Sequence, residues 1–491
     1  MRAAAAIATR TPVLASPVAA LAGVLGVAAA LRFSELGARG FWRDEAVTVQ
    51  LVRKSFGGML GAIPHSEGTP PLYYVLAWGW TRLFGTSEAG IRSLSALAGT
   101  LAVAVVYLIG RELFGRRVAL AAALLAAVHP LLVWHAQDAR AYSLYVLLGA
   151  ASLSCFVRAL GRPTRGHLAA WAATSALALC THYFAAFLVV PEAAWLLRAH
   201  LRRPTMLAVA AVGFAGVALL PLALEQRSSA SVAWIGEIAR WRRVRELAEE
   251  FLVGPQPPHR DLLAAVVGVC ALAALAMLLA RGGRRERRGA ALLGALAIAT
   301  VALPLALSLA GLDYFLSRNA IAAWAPLALV VAAGVASRSA GLAGAALLAA
   351  ICAVSVGVVA ASADEPKFGG EDWRGAARAL GPATADRAVV LWLGVGEGAF
   401  ALYRPHAAPL PATGAVVREV DVVAVGPSHD AALLARRDSL FPRPPFRRAG
   451  RIEGRFFVVV RFVAPAPRRV RRQSLVSGAP AYSAAVLLDR R

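Results

Sequence analysis

Apolar residues fall into blocks from near the N-terminus to about residue 361, and charged or turn-forming residues separate one block from the next. Wound as a helix, a block of about 20 apolar residues crosses a hydrocarbon layer ~30 Å thick. The blocks predict crossings at about 13–31, 90–110, 118–134, 141–157, 167–182, 183–198, 205–224, 261–280, 289–310, 319–337 and 341–361. One further block, Pro70 to Gly85, is read as a helix in or dipping into the interface, where Tyr73, Tyr74, Trp78 and Trp80 are at home. The first block is expected to be a retained signal anchor, because it lacks a small-residue cleavage site before Arg32.

From about residue 362 the pattern changes to short alternating runs, with β-like segments at Ala388–Leu393, Val420–Val425 and Phe456–Phe462. Helical segments are expected at Trp373–Leu380 and Asp430–Leu440, and the Pro- and Arg-rich stretches Phe441–Arg448 and Pro465–Arg472 read as loops. The expected fold class is therefore a polytopic α-helical membrane protein with a small C-terminal extracytoplasmic α/β domain. Its expected parts are residues 1–361, the transmembrane unit, and residues 362–491, the soluble one.

Composition agrees with the pattern. The 491 residues are 58% hydrophobic and 16% charged with mean hydropathy +0.61, which excludes a disordered chain and disfavours an ordinary soluble one. The net charge of +24 invites a nucleic-acid reading. Its placement argues otherwise, because basic clusters at Arg2/Arg10, Arg111–Arg117, Arg158–Arg165, Arg198–Arg203, Arg281–Arg288 and Arg338 all lie between blocks. Placing every cluster in the cytoplasm satisfies the positive-inside rule with alternating crossings. The N-terminus is then expected in the cytoplasm and the C-terminal domain outside. Residues 362–491 carry 20 basic and 12 acidic residues, a surplus that suits anionic lipid heads or an anionic glycopolymer. Cys155, Cys180, Cys270 and Cys352 all lie inside apolar blocks and form neither a disulfide framework nor a zinc spacing.

Acidic residues show a bias that topology does not require. Of sixteen before residue 362, thirteen fall on the outer side, Asp44, Glu45 and Asp138 among them. Asp44 and Glu45 open a short amphipathic stretch, where acids also serve simply to complement a helix N-terminus. Asp138 and Arg140 sit in a second outer turn, where they also suit a charge pair at the lipid–water boundary. The loop Glu225–Arg260 reads as an amphipathic helix on the outer leaflet followed by a turn, placed to cover a site or to anchor.

The order Trp42-Arg-Asp-Glu-Ala, Thr69-Pro-Pro-Leu-Tyr-Tyr, Arg92-Ser, Gln137-Asp-Ala-Arg-Ala-Tyr, Thr181-His-Tyr and Ser317-Arg resembles the GT-C glycosyltransferases that use polyprenyl-phosphate sugars. Within them it is most similar to bacterial relatives of protein O-mannosyltransferases and lipid A aminoarabinose transferases. The resemblance covers about residues 10 to 360. It implies transfer of a mannose- or pentose-like sugar from a polyprenyl-phosphate donor to an acceptor hydroxyl on the outer face, usually with inversion. The acceptor is an extracytoplasmic glycan, lipid or protein, and membrane lipid is the remaining partner.

An acceptor hydroxyl needs a carboxylate within hydrogen-bond reach to take its proton, whereas a departing phosphate monoester is already stable as an anion. By the resemblance Asp44 is the general base, Glu45 orients it or the loop, and Asp138 binds hydroxyls in the same cavity. Arg140, Arg318, His65 and His182 are the expected donors to the lipid phosphate. No metal is expected to be required, although Asp44, Glu45 and Asp138 would suit a divalent ion if the fold gathered them. The rival reading is a non-catalytic membrane sensor or transporter with an extracytoplasmic binding domain. A transporter calls for ionisable residues in mid-span, and Glu192 is the only acid there.

Overall fold

The structure, a computed structural model, describes residues 17–229, 233–363, 371–383, 385–392, 396–426, 445–476 and 484–490. Residues 13–16 of the first expected crossing, the expected helix Asp430–Leu440 and the start of the expected loop Phe441–Arg448 lie outside them.

Each apolar block is helical. The first is α1 (Pro17–Phe33); the segment after it folds into α2 (Arg43–Val52), α3 (Phe56–Ser66) and α4 (Leu72–Phe84). At 13 residues, α4 is about 20 Å long, too short to cross. There follow α5 (Glu88–Leu113), α6 (Arg116–Val128), α7 (Pro130–Ala136), α8 (Tyr142–Gly161), α9 (Arg165–Thr181), α10 (Ala186–Ala199), α11 (Arg203–Ala218) and α12 (Leu220–Ser229). Then come α13 (Ala233–Glu237), α14 (Arg240–Val253), α15 (Arg260–Arg281), α16 (Arg284–Leu309), a 3-10 turn (Ser317–Ala323), α17 (Trp324–Ala336) and α18 (Gly341–Ala363).

Among the described residues seven helical segments are long and apolar enough to cross a membrane, or eight if the bent pair α6–α7 is one span. The protein is thus a polytopic helical membrane protein. The remaining expected crossings coincide with the shorter apolar helices α1, α9 and α10.

The 57° bend between α6 and α7 has an identifiable cause. Pro130 has no N–H to give the preceding turn, so carbonyls near the end of α6 are left without helical donors. Buried Arg32 supplies them from α1, with its guanidinium 2.8 Å from both Ala126 O and Ala127 O and 3.1 Å from Ala28 O. Gly99 of α5 makes the space, since a Cβ there would meet Arg32 Nε at 3.1 Å and Ala136 Cβ at 2.9 Å. The bend redirects the chain into the turn 137–141, which carries Asp138 and Arg140.

The C-terminal part holds a six-stranded sheet: β1 (Arg387–Trp392), β2 (Ala407–Pro409), β3 (Ala415–Val425), β4 (Arg447–Gly454), β5 (Phe457–Val470) and β6 (Ala484–Asp489), in the order β2-β6-β1-β3-β5-β4. Among the described residues only β1 and β3 pair in parallel. Alternation sorts the strands' residues: Val389 and Leu391 join Trp373, Ala376 and Phe400 of α19 (Trp373–Ala379) and α20 (Glu397–Tyr403) on one face, while Ala388 and Val390 face the other core.

Both expected loops are in part strand: Arg447 and Arg448, the end of the expected loop Phe441–Arg448, open β4 and pair with Val463 and Phe462. The stretch Pro465–Arg472 is not a loop, because β5 continues to Val470 and pairs Arg468, Arg469 and Val470 with Val417, Val416 and Ala415. The register shifts between Val417 and Glu419, opposite the segment holding Pro465 and Pro467. Prolines lack the ladder donor, and a bulge is where a strand tolerates them.

Candidate active site

A cavity of about 490 Å³ opens at the bundle end opposite the arginine-rich turns, lined among others by Asp44, Arg140, Tyr142, His182, Arg227, Trp234 and Arg318. Chain segments distant in sequence meet there. Asp44 comes from the first turn of α2, Arg140 from the turn after α7, His182 from the turn after α9, and Arg318 from the 3-10 turn after α16. Leu220, Leu224, Leu312 and Leu316 give part of the wall an apolar lining.

Asp44 is part-exposed, and its Oδ2 lies 4.0 Å from the Arg318 guanidinium. Adjacent Glu45 points elsewhere, because neighbours on a helix face directions about 100° apart. It is fully buried, held by Arg92 through Nε (2.7 Å) and Nη2 (2.5 Å), and it accepts the Ala139 N–H at 2.9 Å. Arg92 spends its other donors on the carbonyls of Leu36, Arg39 and Gly40, so the pair ties the segment before α2 to α5. Two buried ions are tolerable because nearly every donor and acceptor is matched.

Asp138 is 1% exposed and does not line the cavity; its Oδ1 accepts the Trp42 indole N–H at 3.1 Å. Burial, and secondly the Glu45 carboxylate, hold its carboxyl well above the usual range. Asp44, Glu45 and Asp138 therefore have three different surroundings. Among the described residues no three His, Cys, Asp or Glu side chains gather as metal ligands.

The four expected phosphate donors also separate. Arg140 forms a fork on Glu67 (2.7 and 2.9 Å) and reaches Asp44 O at 3.1 Å and Thr48 Oγ1 at 3.3 Å, so much of its charge is matched inside the protein. Burial, then Arg318 and Arg140, push the His182 imidazole down to about 3, leaving it neutral near pH 7. Its Nδ1 accepts from Phe184 N at 3.3 Å, which puts the ring proton on Nε2, and the ring stacks on Tyr145. His65 stands outside the cavity lining, its side chain 65% exposed and 3.6 Å from Glu225. Arg318 is the cation that faces the cavity next to Asp44, with the rings of Tyr142 and Trp234 each 6.0 Å from its guanidinium carbon.

Sequence reasoning missed several participants. Glu67 holds Arg140, and Gln226 joins the cavity wall by donating to Thr69 O (3.0 Å) and accepting from Tyr183 Oη (2.7 Å). Arg227 and Asn319 also line the cavity. Glu67 sits two residues before the Thr-Pro-Pro motif and Asn319 directly follows Arg318, so proximity was a usable signal for both. Gln226 and Arg227 lie at the end of an apolar helix and carried none.

Residues 68–224 match the family model described as dolichyl-phosphate-mannose-protein mannosyltransferase. No curated protein matches the chain. Among solved structures, the chain is similar to the oligosaccharyltransferase of Archaeoglobus fulgidus at 16% identity and TM-score 0.45, covering 74% of this chain and 55% of that one. It is also similar to ArnT from Cupriavidus metallidurans bound to undecaprenyl phosphate, at 16% identity and TM-score 0.41, covering 91% and 97%. The arabinosyltransferase EmbB from Mycobacterium smegmatis follows at 15% identity and TM-score 0.40, covering 64% and 30%. The chain thus spans about half the length of the archaeal enzyme. By motif order and matched segment it resembles the GT-C glycosyltransferases.

Proposed function

We propose that this GT-C-like protein is a membrane glycosyltransferase that moves a sugar, mannose- or pentose-like, from a polyprenyl-phosphate donor to an acceptor hydroxyl. The observation that carries the reading is the pairing of Asp44 with Arg318 on the wall of a 490 Å³ cavity whose lining is partly leucine. A carboxylate to take a proton, a cation to hold an anion and an apolar wall for a lipid are what such a transfer needs side by side. The description of the family matched by residues 68–224 supports a lipid-phosphate-linked sugar.

In this reaction the Asp44 carboxylate takes the proton of the acceptor hydroxyl, whose oxygen attacks the anomeric carbon. The bond from that carbon to the phosphate oxygen breaks with inversion, and the electron pair leaves on the polyprenyl phosphate. Arg318 meets the charge that grows on the leaving phosphate, and neutral His182 offers its Nε2–H. Arg140 acts by geometry, holding the α2 backbone at Asp44 through its own anchor on Glu67. Glu45 positions α2, and Asp138 holds Trp42 beside the acid. No divalent ion is needed in this scheme, because a phosphate monoester leaves without one and Arg318 supplies the countercharge.

Residues 1–361 form the transferase unit and residues 362–491 a soluble domain beside it. The cavity end is the extracytoplasmic face of a bacterial inner membrane, with the arginine-rich turns in the cytoplasm. Binding of a fluorescent polyprenyl phosphate to the purified protein tests the donor half of the proposal. Saturable binding that weakens by about tenfold or more in Arg318→Ala is expected, a fair loss for a charge-assisted contact. Wild-type protein that does not bind the lipid phosphate would overturn it.

A further inference from the structure

α2 is ten residues long, and a helix shorter than about 12 residues is marginal on its own. Its position, and that of Asp44, must come from what packs around it. One side rests on the transmembrane unit, where Val49 and Val52 join a core with Tyr73, Tyr74 and Ile91. The other side belongs to the C-terminal domain: Ala46 is fully buried in that domain's own core, with Trp373, Ala376 and Phe400.

Hydrogen bonds from the same domain bracket Asp44. The Tyr403 hydroxyl accepts the Phe41 N–H at 2.6 Å and donates to Glu88 Oε1 at 2.8 Å, bridging the approach to α2 and the start of α5. Glu371 accepts from the Arg43 backbone N–H at 3.1 Å and from its guanidinium. Gln50 donates to Gly398 O at 3.2 Å, and the two approach so closely that a Cβ on Gly398 would lie 2.9 Å from Gln50 Nε2 and push that amide aside. Gly40 is a second close approach, with the site of its missing Cβ 2.9 Å from Arg374 Cβ and 3.2 Å from Tyr403 Oη. Arg374 closes the seam by donating to Gly37 O (3.1 Å) and Ala38 O.

We propose that the C-terminal domain is a positioning element of the transfer site, and that Tyr403 is its pivot, setting where Asp44 stands by anchoring the Phe41 backbone against α5. The inference rests on the reading of Asp44 as the base. Tyr403 touches neither substrate nor reacting atoms. Removing its hydroxyl leaves the Phe41 N–H without its acceptor and frees the turn that leads into the acid.

The test uses the full chain carrying Tyr403→Phe, which keeps the ring and its packing, and Gly40→Ala, which crowds the same seam. Two readouts are taken: amide hydrogen exchange, and transfer kinetics against donor concentration. The expected result in Tyr403→Phe is faster exchange confined to peptides from residues 41–52, with those of α8 and β1 unchanged. Turnover at saturating donor falls about tenfold, the effect of one hydrogen bond with charged partners nearby, while the donor KM stays within about twofold. Gly40→Ala shifts both readouts the same way.

Unchanged exchange in residues 41–52, or exchange that rises across the whole chain, overturns the proposal. A fall in activity expressed mainly as a raised donor KM does so too. Exchange needs no activity, so wild-type protein without transfer would sink the proposed reaction while exchange still decides the anchoring.

Discussion

Asp44 and Glu45 are adjacent in the chain and opposite in circumstance. Asp44 is part-exposed beside Arg318, and Glu45 is buried in a two-pronged pair with Arg92. Removing one partner of a buried ion pair costs about 3 to 5 kcal/mol, whereas a part-exposed site with few partners costs about 0.5 kcal/mol or less. Thermal unfolding in detergent should therefore show a large loss for Glu45→Gln and almost none for Asp44→Asn, although both lose activity. Equal losses would contradict the division of roles.

Asp138 makes a pH prediction. Its folded-state carboxyl is held above the unfolded value, by burial first and Glu45 next. The folded state then keeps a proton that the unfolded chain has lost, so the contribution to stability is complete below the ordinary carboxyl range and disappears as pH rises through the raised value. Asp138→Asn should flatten that decline, measured as melting temperature against pH; an unchanged slope would refute it. The pairing of acids was legible in the sequence as Asp-Glu followed far along by Asp. The resemblance singled out Asp44, which does line the cavity, but it also placed Asp138 there, and the burial of Asp138 against Trp42 depends on packing that residue order does not reveal.

At the scale of elements, α14 is a basic amphipathic helix whose most informative residue faces inward. Arg243, 1% exposed, holds both oxygens of Asp313 at 2.6 and 2.7 Å and donates to Phe315 O at 3.0 Å. The hydrogen bonds from Arg243 keep the Asp313 carboxyl below its usual range. This clasp fixes the strand of chain that leads into Arg318. Arg243→Ala should weaken polyprenyl-phosphate binding by about tenfold although Arg243 lines no part of the cavity. Unchanged affinity in that variant would separate α14 from the site.

Helix positions were readable because a block of apolar residues has few alternatives to a helix in a membrane. The bend after α6 was not expected, since His129-Pro130 fell inside a single expected crossing at 118–134, and its partner Arg32 looked like the end of a crossing, since a buried arginine is recognisable only from the carbonyls around it. The strand through Pro465 and Pro467 was unreadable for a related reason. Proline argues against a strand unless a bulge leaves its missing donor unneeded, and the bulge belongs to the pairing with β3.

At the scale of the whole molecule, charge and cavity divide the bundle. Arginine-rich turns sit at one end of α5, α6, α8 and α9, and Asp44, Arg140, His182 and Arg318 meet at the other. The motif order named those four together, and folding brings them to one cavity. His65, expected among the phosphate donors though it lies outside those motifs, faces Glu225 outside the cavity, because closeness in sequence to Thr69 does not decide the direction of a side chain. Reporter fusions are expected to give active alkaline phosphatase after residue 363 and active green fluorescent protein after Arg338. The reverse pattern would invert the proposed orientation.

The most direct test of the central claim is transfer of radiolabelled sugar from a panel of polyprenyl-phosphate donors by purified protein in liposomes, wild type against Asp44→Asn. Label is expected to reach an acceptor with wild type. In Asp44→Asn transfer falls about 10²- to 10⁴-fold, as expected for a lost general base, with lipid-phosphate binding retained. Equal transfer by the two proteins would contradict it.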